Sequence, residues 1–172
     1  MLTNARSVRT GRLMLQPVTW RDMNDMAALK ADGGAFGQML GGVCTRQQAE
    51  RDMADDIAFW ACHRVGIFTI RENGTFVGMT GIHDRPDGRG FGLRFALYPW
   101  ASGRGIAREA AYAALNFTHD AGVRRVIAVA KESNLASRTI LGGIGMHMYE
   151  TFQRDGQTML VYESVRGGGR NG

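Results

Sequence analysis

The sequence predicts a mixed α/β (α+β) domain in which a mostly antiparallel sheet of about seven strands is flanked by about four helices. Three observations lead to this fold class. The hydrophobic pattern switches between alternation and helical spacing, in the order β, α, α, β, β, β, α, β, α, β, β. An Asn-Gly pair at 73–74 and an Asp-Gly pair at 155–156 are typical of tight hairpins. One helix separates the apolar strands over 91–98 and 125–130, so these two should run parallel.

The N-terminal third of the chain predicts one strand and two helices. Residues 12–18 alternate between apolar and polar side chains, as a half-buried strand does. A capping box opens each of the helices predicted over 19–31 and 45–63. The segment between them, 33–42, is rich in glycine, which disfavours a helix, so we expect a mobile loop there.

The remaining elements follow from the same signals. They are strands over 65–71 and 75–83 about the Asn-Gly turn, a strand over 91–98, a helix over 106–121, a buried strand over 125–130, a helix that Asn134 caps and Gly142-Gly143 end, and a last hairpin over 146–152 and 157–164.

Length and charge limit the function classes. The 172 residues suit a single domain, expected over 12–166, between an N-terminal extension over 1–11 and a disordered glycine-rich tail over 167–172. The net charge of +5 favours anionic partners. Because the basic residues are dispersed rather than clustered, we do not expect the protein to bind nucleic acid.

Cysteine usage and hydropathy limit the location and the metal chemistry. Cys44 and Cys62 form no CxxC pair and have no metal-ligand spacing to the four histidines, so no metal is expected. No stretch approaches the roughly 18 apolar residues of a membrane span. The N-terminus lacks the apolar core of a secretory signal. The expected location is therefore the cytoplasm, away from membranes.

A glycine turn between the strand over 91–98 and the helix over 106–121 is the first candidate site. In Ser102-Gly-Arg-Gly-Ile-Ala107 the glycines allow close approach of an anion, and the free N–H groups of the first helical turn would face it. A Walker loop is excluded because its Gly-Lys-Ser/Thr ending is absent. A dinucleotide fingerprint fits poorly because Arg108 occupies its third glycine position.

Several motifs in order along the chain match one family. They are the start over 10–17, Phe95-Ala-Leu-Tyr-Pro99, Ser102-Gly-Arg-Gly-Ile-Ala107, Glu109-Ala110, Asn134-x-x-Ser137-Arg138 and Gly145-Met146. With these, the chain from about residue 12 to 166 resembles the GCN5-related N-acetyltransferases, and most closely the branch that acetylates the N-termini of bacterial ribosomal proteins. It departs from the usual pattern at Arg94, where glycine is common, and at Leu141, where many relatives carry a catalytic tyrosine.

The resemblance implies a ternary-complex transfer from acetyl-CoA to a primary amine of a protein N-terminus, an amino acid or another small amine. The strands over 91–98 and 125–130 would splay to admit pantetheine, and Ser137 would protonate the departing thiolate. The implied cofactor-binding residues are Phe95, Ala96 and Leu97 for pantetheine, Ser102, Gly103, Arg104, Gly105, Ile106 and Ala107 for pyrophosphate, and Asn134 and Arg138 on the following helix.

The general base is left open among several residues. His83 and Asp84 end a predicted strand beside a glycine-rich loop, and Asp155 lies in the last hairpin. Glu109 is better interpreted as an acid that complements the helix dipole. A second function class also stays open: a non-catalytic binding module of the same fold for protein or nucleic acid. The sequence does not decide whether the protein is a homodimer.

Overall fold

The computed structural model describes residues 6–167 and confirms the predicted fold class. Eight strands within that range form one sheet: β1 Val8–Arg9, β2 Leu13–Pro17, β3 Ile67–Glu72, β4 Thr75–Asp84, β5 Phe91–Leu97, β6 Arg125–Lys131, β7 His147–Arg154 and β8 Gln157–Val165. The α-helices there are α1 Met23–Ala31, α2 Gly33–Phe36, α3 Arg46–His63, α4 Ile106–Asp120 and α5 Leu135–Gly143, with 3₁₀ turns at Trp20–Asp22 and Pro99–Ala101. The strand β1 and the short helix α2 are the elements that the sequence did not predict.

The sheet has the order β1-β2-β3-β4-β5-β6-β8-β7. Every neighbouring pair is antiparallel except β5 and β6, which run parallel as predicted. The helix α4 connects these two strands and packs against β4 and β5, while α5 contacts β6. This arrangement places the glycine turn after β5 and the Asn134 turn after β6 at the same end of the two strands.

The structure contains both predicted capping boxes and the predicted Asn-Gly turn, which joins β3 to β4. Thr45 and Gln48 form a reciprocal capping box at the start of α3. Toward the end of that helix the indole Nε1 of Trp60 donates to the carbonyl of Ile67 at 2.7 Å, and the ring packs edge-on against Phe68. These contacts attach α3 to the first residues of β3 and fix the position of its buried face.

The prediction of a mobile loop over 33–42 is wrong for its first four residues, which form α2. The Asp32 side chain caps this helix by accepting a hydrogen bond from the Ala35 N–H at 2.9 Å. Gly34 lies so close to Pro99 that an added Cβ would approach the proline Cγ to 2.4 Å. Glycine is therefore needed here for close packing of α2 against the turn after β5, a tertiary reason that overrides its low helix propensity.

One expectation about the end of an element is confirmed and another changes. The helix α5 ends at Gly143, as the Gly142-Gly143 pair predicts, and Arg108 donates to the Gly143 carbonyl at 3.2 Å. The predicted extension over 1–11 contains β1, which pairs with β2. The predicted tail over 167–172 lies outside the described residues apart from Gly167.

None of the helices within 6–167 combines the length and the apolar character that crossing a bilayer requires.

Candidate active site

A gap between β5 and β6 is the central feature of the site. The two strands pair only at Gly92 and Ile127, so beyond that point their facing backbone groups have no ladder partners. On the other edge of β5, the Tyr98 N–H donates to the Val77 carbonyl at 3.0 Å. The Arg94 carbonyl on that edge accepts from the side-chain hydroxyl of Thr80 at 2.9 Å.

The N–H and C=O groups of successive residues in a strand face opposite edges. Since those of Arg94 and Tyr98 face β4, the backbone groups of Phe95 and Leu97 face the gap. Those of Ala96 face β4, with which Ala96 is paired through Met79. The expectation that Ala96 also offers its backbone to a ligand in the gap is therefore wrong.

The glycine turn after β5 has the geometry of an anion cradle. Gly103 and Gly105 adopt φ angles of +84° and +77°, in the left-handed region that favours glycine. Gly105 is the N-cap of α4, and no side chain caps that helix end, so its first N–H groups remain available as donors. The residues 102–105 are exposed, which leaves the cradle open to a ligand.

Side chains around the turn hold it in place. Arg104 forms two hydrogen bonds with Glu72, at 3.0 and 2.9 Å, and this bonding holds the pKa of Glu72 below its usual value. Arg12 donates to the Arg104 carbonyl and to Glu109, which also accepts from Thr10 at 2.6 Å. The Arg104 guanidinium is thus engaged in bracing the turn, so what Arg104 offers to an anion is its backbone N–H.

The N-terminus of α5 forms the opposite wall of the gap. The Asn134 Oδ1 caps the helix by accepting from the Ser137 N–H at 3.2 Å, which leaves the Nδ2 amide as a donor. Ser137 is half-buried and lines the cleft, as does the buried Leu141. Arg138 donates to the Glu132 carbonyl at 2.9 Å, so its side chain braces the loop before α5.

A cleft of about 680 Å³ lies beside the gap, between α3, the segment 38–42, the end of β4, β5, β6 and α5. It brings together five of the residues predicted as site residues: His83, Asp84, Phe95, Asn134 and Ser137. Asp155 does not line it, because that residue lies in the β7–β8 turn with its side chain almost fully exposed. The glycine turn is a separate part of the site, and Gly105 lines a shallow groove between α4 and α5.

His83 lines the cleft, but its basicity does not suit the role of general base that the sequence suggested for it. Burial, together with the positive charges of Arg94, Arg85 and Lys30, lowers its pKa from 6.5 to about 3. The imidazole is therefore neutral at physiological pH and has little tendency to accept a proton from an ammonium group. This argues against His83 as the general base.

The buried His83 should make the protein sensitive to acid. Its folded-state pKa lies below the unfolded value, so stability should fall as the pH drops from 6.5 toward 3. Urea unfolding of wild type and His83→Gln should show that the variant loses about 3 kcal/mol less between pH 7 and pH 4. His147→Gln, an exposed histidine on β7, is the control and should behave as wild type. Equal losses for wild type and His83→Gln would contradict this account.

Asp56 is the functional candidate that the sequence analysis missed. It is 8% exposed and lines the cleft, and among residues 6–167 its carboxylate has no hydrogen-bond or ion-pair partner. Burial raises its pKa from 3.8 to about 6, although the charges of Lys30 and Arg94 lower it. A signal was present in the sequence, because position 56 falls on the apolar side of α3 with Met53 and Trp60.

Within the described part of the chain, no three His, Cys, Asp or Glu side chains are arranged to hold a metal ion.

Comparison with known proteins gives a family match and a set of similar folds. The family model described as an acetyltransferase (GNAT) domain matches residues 12–147. No curated protein sequence matches the chain. An acetyltransferase from Agrobacterium tumefaciens has a TM-score of 0.82 at 24% identity, over 96% of this chain and 98% of that one.

Two further structures have informative ligands or activities of their own. An acetyltransferase from Salmonella typhimurium that modifies the N-terminal serine of ribosomal protein L7/L12 has a TM-score of 0.78 at 14% identity, over 92% of this chain and 97% of that one. A second Salmonella typhimurium structure, of a proposed acetyltransferase with acetyl-CoA, has a TM-score of 0.73 at 12% identity, over 92% and 96%. At these identities the likeness shows a shared fold.

Proposed function

Because the chain belongs to the GNAT acetyltransferase family, whose members transfer acetyl groups from acetyl-CoA, we propose that it acetylates a primary amine by direct attack in a ternary complex. The observation that carries this proposal is the gap between β5 and β6, which adjoins a cleft lined by the unpaired carboxylate of Asp56, a residue that is 8% exposed. Acetyl-CoA supplies an acetyl group that is already activated as a thioester. The protein then needs only to orient the two reactants and to manage protons.

The residues around the gap fit an acyl-CoA arm. The N–H groups of 103–107 at the glycine turn suit a pyrophosphate, since a helix N-terminus favours negative charge. The Asn134 amide and the free backbone of Phe95 and Leu97 suit the amide groups of pantetheine, which need donors and acceptors along an extended chain. One of these N–H groups can also polarise the thioester carbonyl.

Asp56 is our candidate for the general base. A base works best when its pKa is near the working pH, and the pKa of Asp56, about 6, meets this condition where that of His83 does not. Asp84 also borders the cleft, but it is exposed at the end of β4. In the proposed step Asp56 takes a proton from the amine, the nitrogen–carbon bond forms, and the carbon–sulfur bond breaks.

Ser137 is our candidate for the proton donor to the departing thiolate. Ser137 lines the cleft, and no other side chain among the described residues bonds to its hydroxyl. Leu141, at the position where relatives carry tyrosine, is apolar and buried and offers no proton.

Ser137→Ala should lower kcat by about 10-fold to 100-fold, the lower end of what acid–base groups contribute, because a thiolate leaves with little assistance. The dissociation constant for CoA should change by less than about 2-fold, since the alanine leaves the backbone of α5 intact. Steady-state kinetics and calorimetry measure the two quantities. Thr139→Ala removes a hydroxyl from the same helix and should change neither. An unchanged kcat in Ser137→Ala would exclude the role.

The alternative function, a non-catalytic binding module, can be distinguished from acetyl transfer by whether acetyl-CoA stabilises the folded protein. Acetyl-CoA at 100 times its dissociation constant should stabilise the folded protein by about 2.7 kcal/mol. A binding module for nucleic acid would instead show an affinity that falls steeply with salt. Thermal unfolding with saturating acetyl-CoA, and again with CoA, distinguishes the two. No shift with either ligand would contradict the proposed function.

A further inference from the structure

Arg94 is a charged residue of the cleft for which the proposed acetyl transfer has no direct use. It lies on β5, half-buried, with its guanidinium 5.9 Å from the centre of the Phe36 ring. Across residues 6–167, no hydrogen bond or ion pair of that guanidinium is present. Two neighbouring cations differ in this respect, because Lys30 pairs with Asp52 at 3.1 Å and Arg85 pairs with Asp87 at 2.6 Å.

The unpaired cation stands close to an unpaired anion. Arg94 and Asp56 line the same cleft, and the positive charge of Arg94 lowers the pKa of Asp56. They nevertheless form no ion pair within 4.0 Å. Lys131, the last residue of β6, also lines the cleft without a partner, but it is not among the charges that shift the pKa of Asp56. Two opposite charges left unpaired in a partly buried site cost folding free energy, and a ligand that pairs with both would offset that cost.

We infer that Arg94 binds a carboxylate of the acceptor, so that the acceptor is a small zwitterion of the amino-acid class, with its amine toward Asp56 and its carboxylate on Arg94. This inference rests on the proposed function, which supplies the amine. The planar guanidinium can bind a carboxylate through two parallel hydrogen bonds. The unpaired Arg94 guanidinium and the unpaired Asp56 carboxylate, which line the same cleft, match one carboxylate and one ammonium group of a ligand.

Other acceptor classes fit these charges less well. A phosphate would need further cationic partners, but Arg85 and Lys30 are already held by aspartates, which leaves only Lys131, at the end of β6, as a further unpaired cation among the described residues of the cleft. A polyamine would leave Arg94 facing a like charge. A peptide N-terminus has no carboxylate beside its amine unless an acidic side chain follows, so it would leave Arg94 unpaired.

The binding test compares each amino acid with its own amide, which keeps the amine and removes the negative charge. Isothermal titration of the wild-type protein, saturated with CoA, should find at least one amino acid that binds about 10-fold to 100-fold more tightly than its amide. Arg94→Met should abolish this preference, whereas Arg94→Lys should retain part of it. Arg154→Met, which removes another cation from the cleft wall, should leave the preference unchanged.

Three outcomes would overturn the inference: no amino acid binds, every amide binds as tightly as its amino acid, or folded Arg94→Met keeps the preference. The transfer reaction supplies a second readout. For the preferred amino acid, Arg94→Met should raise KM by at least about 10-fold, while its effect on the matched amide should be under about 2-fold. If acetyl transfer occurs equally to amides, only this inference fails. If amino acids bind with the expected preference but no amine is acetylated, the proposed function fails instead.

Discussion

Replacing Asp56 by asparagine is expected to lower kcat/KM for acetyl transfer by about 100-fold to 10,000-fold at pH 7, the usual contribution of a positioned general base. The wild-type profile of kcat/KM should rise with pH through an apparent pKa of about 6, because Asp56 accepts a proton only when ionised. The variant should lack this rise. Rates measured from pH 5 to pH 9 with one acceptor provide the comparison.

The same substitution should stabilise the folded protein at neutral and alkaline pH. The folded-state pKa of Asp56, about 6, lies above its usual 3.8, so folding favours the protonated form. Stability contributed by that form is present below about pH 4 and is lost as the pH rises through 6. Asp56→Asn removes this loss, and urea unfolding at pH 8 should show a gain of about 1–3 kcal/mol that shrinks near pH 4.

Asp55→Asn is the matched control for both measurements. Asp55 also lies on α3 and borders the cleft, but it is exposed. Its replacement should change kcat/KM by less than about 3-fold and stability by less than about 0.5 kcal/mol. A variant Asp56→Asn with wild-type activity would exclude Asp56 as the base. A variant that is less stable at pH 8 would show that the carboxylate has a structural partner.

Gly105→Asp is expected to weaken CoA binding by at least about 100-fold, because a carboxylate at the N-cap of α4 would repel a bound pyrophosphate. At φ +77° the side chain enters a strained backbone position, but aspartate tolerates this region better than most residues. An added Cβ would also lie 3.4 Å from the Arg12 Nη2. The new carboxylate would therefore lie beside a positive charge, and we expect the variant to fold. Calorimetric titration with CoA measures the loss.

Gly105→Asn separates charge from shape in this experiment. Asparagine is nearly the same size, adopts the left-handed region readily and carries no charge. CoA affinity in this variant should stay within about 10-fold of wild type. Equal and small losses in both variants would mean that the pyrophosphate is bound elsewhere, and equal and large losses would mean that any side chain at this position blocks the turn.

The parts of the fold that sequence predicts well are those governed by local signals. The capping box at Thr45 and the turn at Asn73 were readable because neighbouring residues supply all the relevant hydrogen bonds. The helix α2 was not readable, because its Gly34 is required by contact with Pro99, which is distant along the chain. The strand β1 is only two residues long and depends on pairing with β2.

The candidate site also has some parts that local sequence signals predict and others that depend on tertiary structure. The glycine turn and the Asn134 cap are sequence motifs, and the structure places them at adjacent strand ends. The basicity of His83 and of Asp56 depends on burial and on charges brought in by β4, β5, α1 and α3, so spacing alone could not rank them. Whether Arg94 is paired likewise depends on tertiary structure. Lys30 and Arg85 pair with Asp52 and Asp87, and Arg94 forms no ion pair among the described residues.

The most direct test of the central claim is identification of an acetylated product. Wild-type protein is incubated with isotopically labelled acetyl-CoA and panels of amino acids, amino-acid amides, N-terminal peptides and other amines, and free thiol release and product mass are followed together. We expect stoichiometric thiol and N-acetylated amine with at least one acceptor, and a loss of both in Asp56→Asn. Tight binding of acetyl-CoA with no acetylated amine from any panel would contradict it.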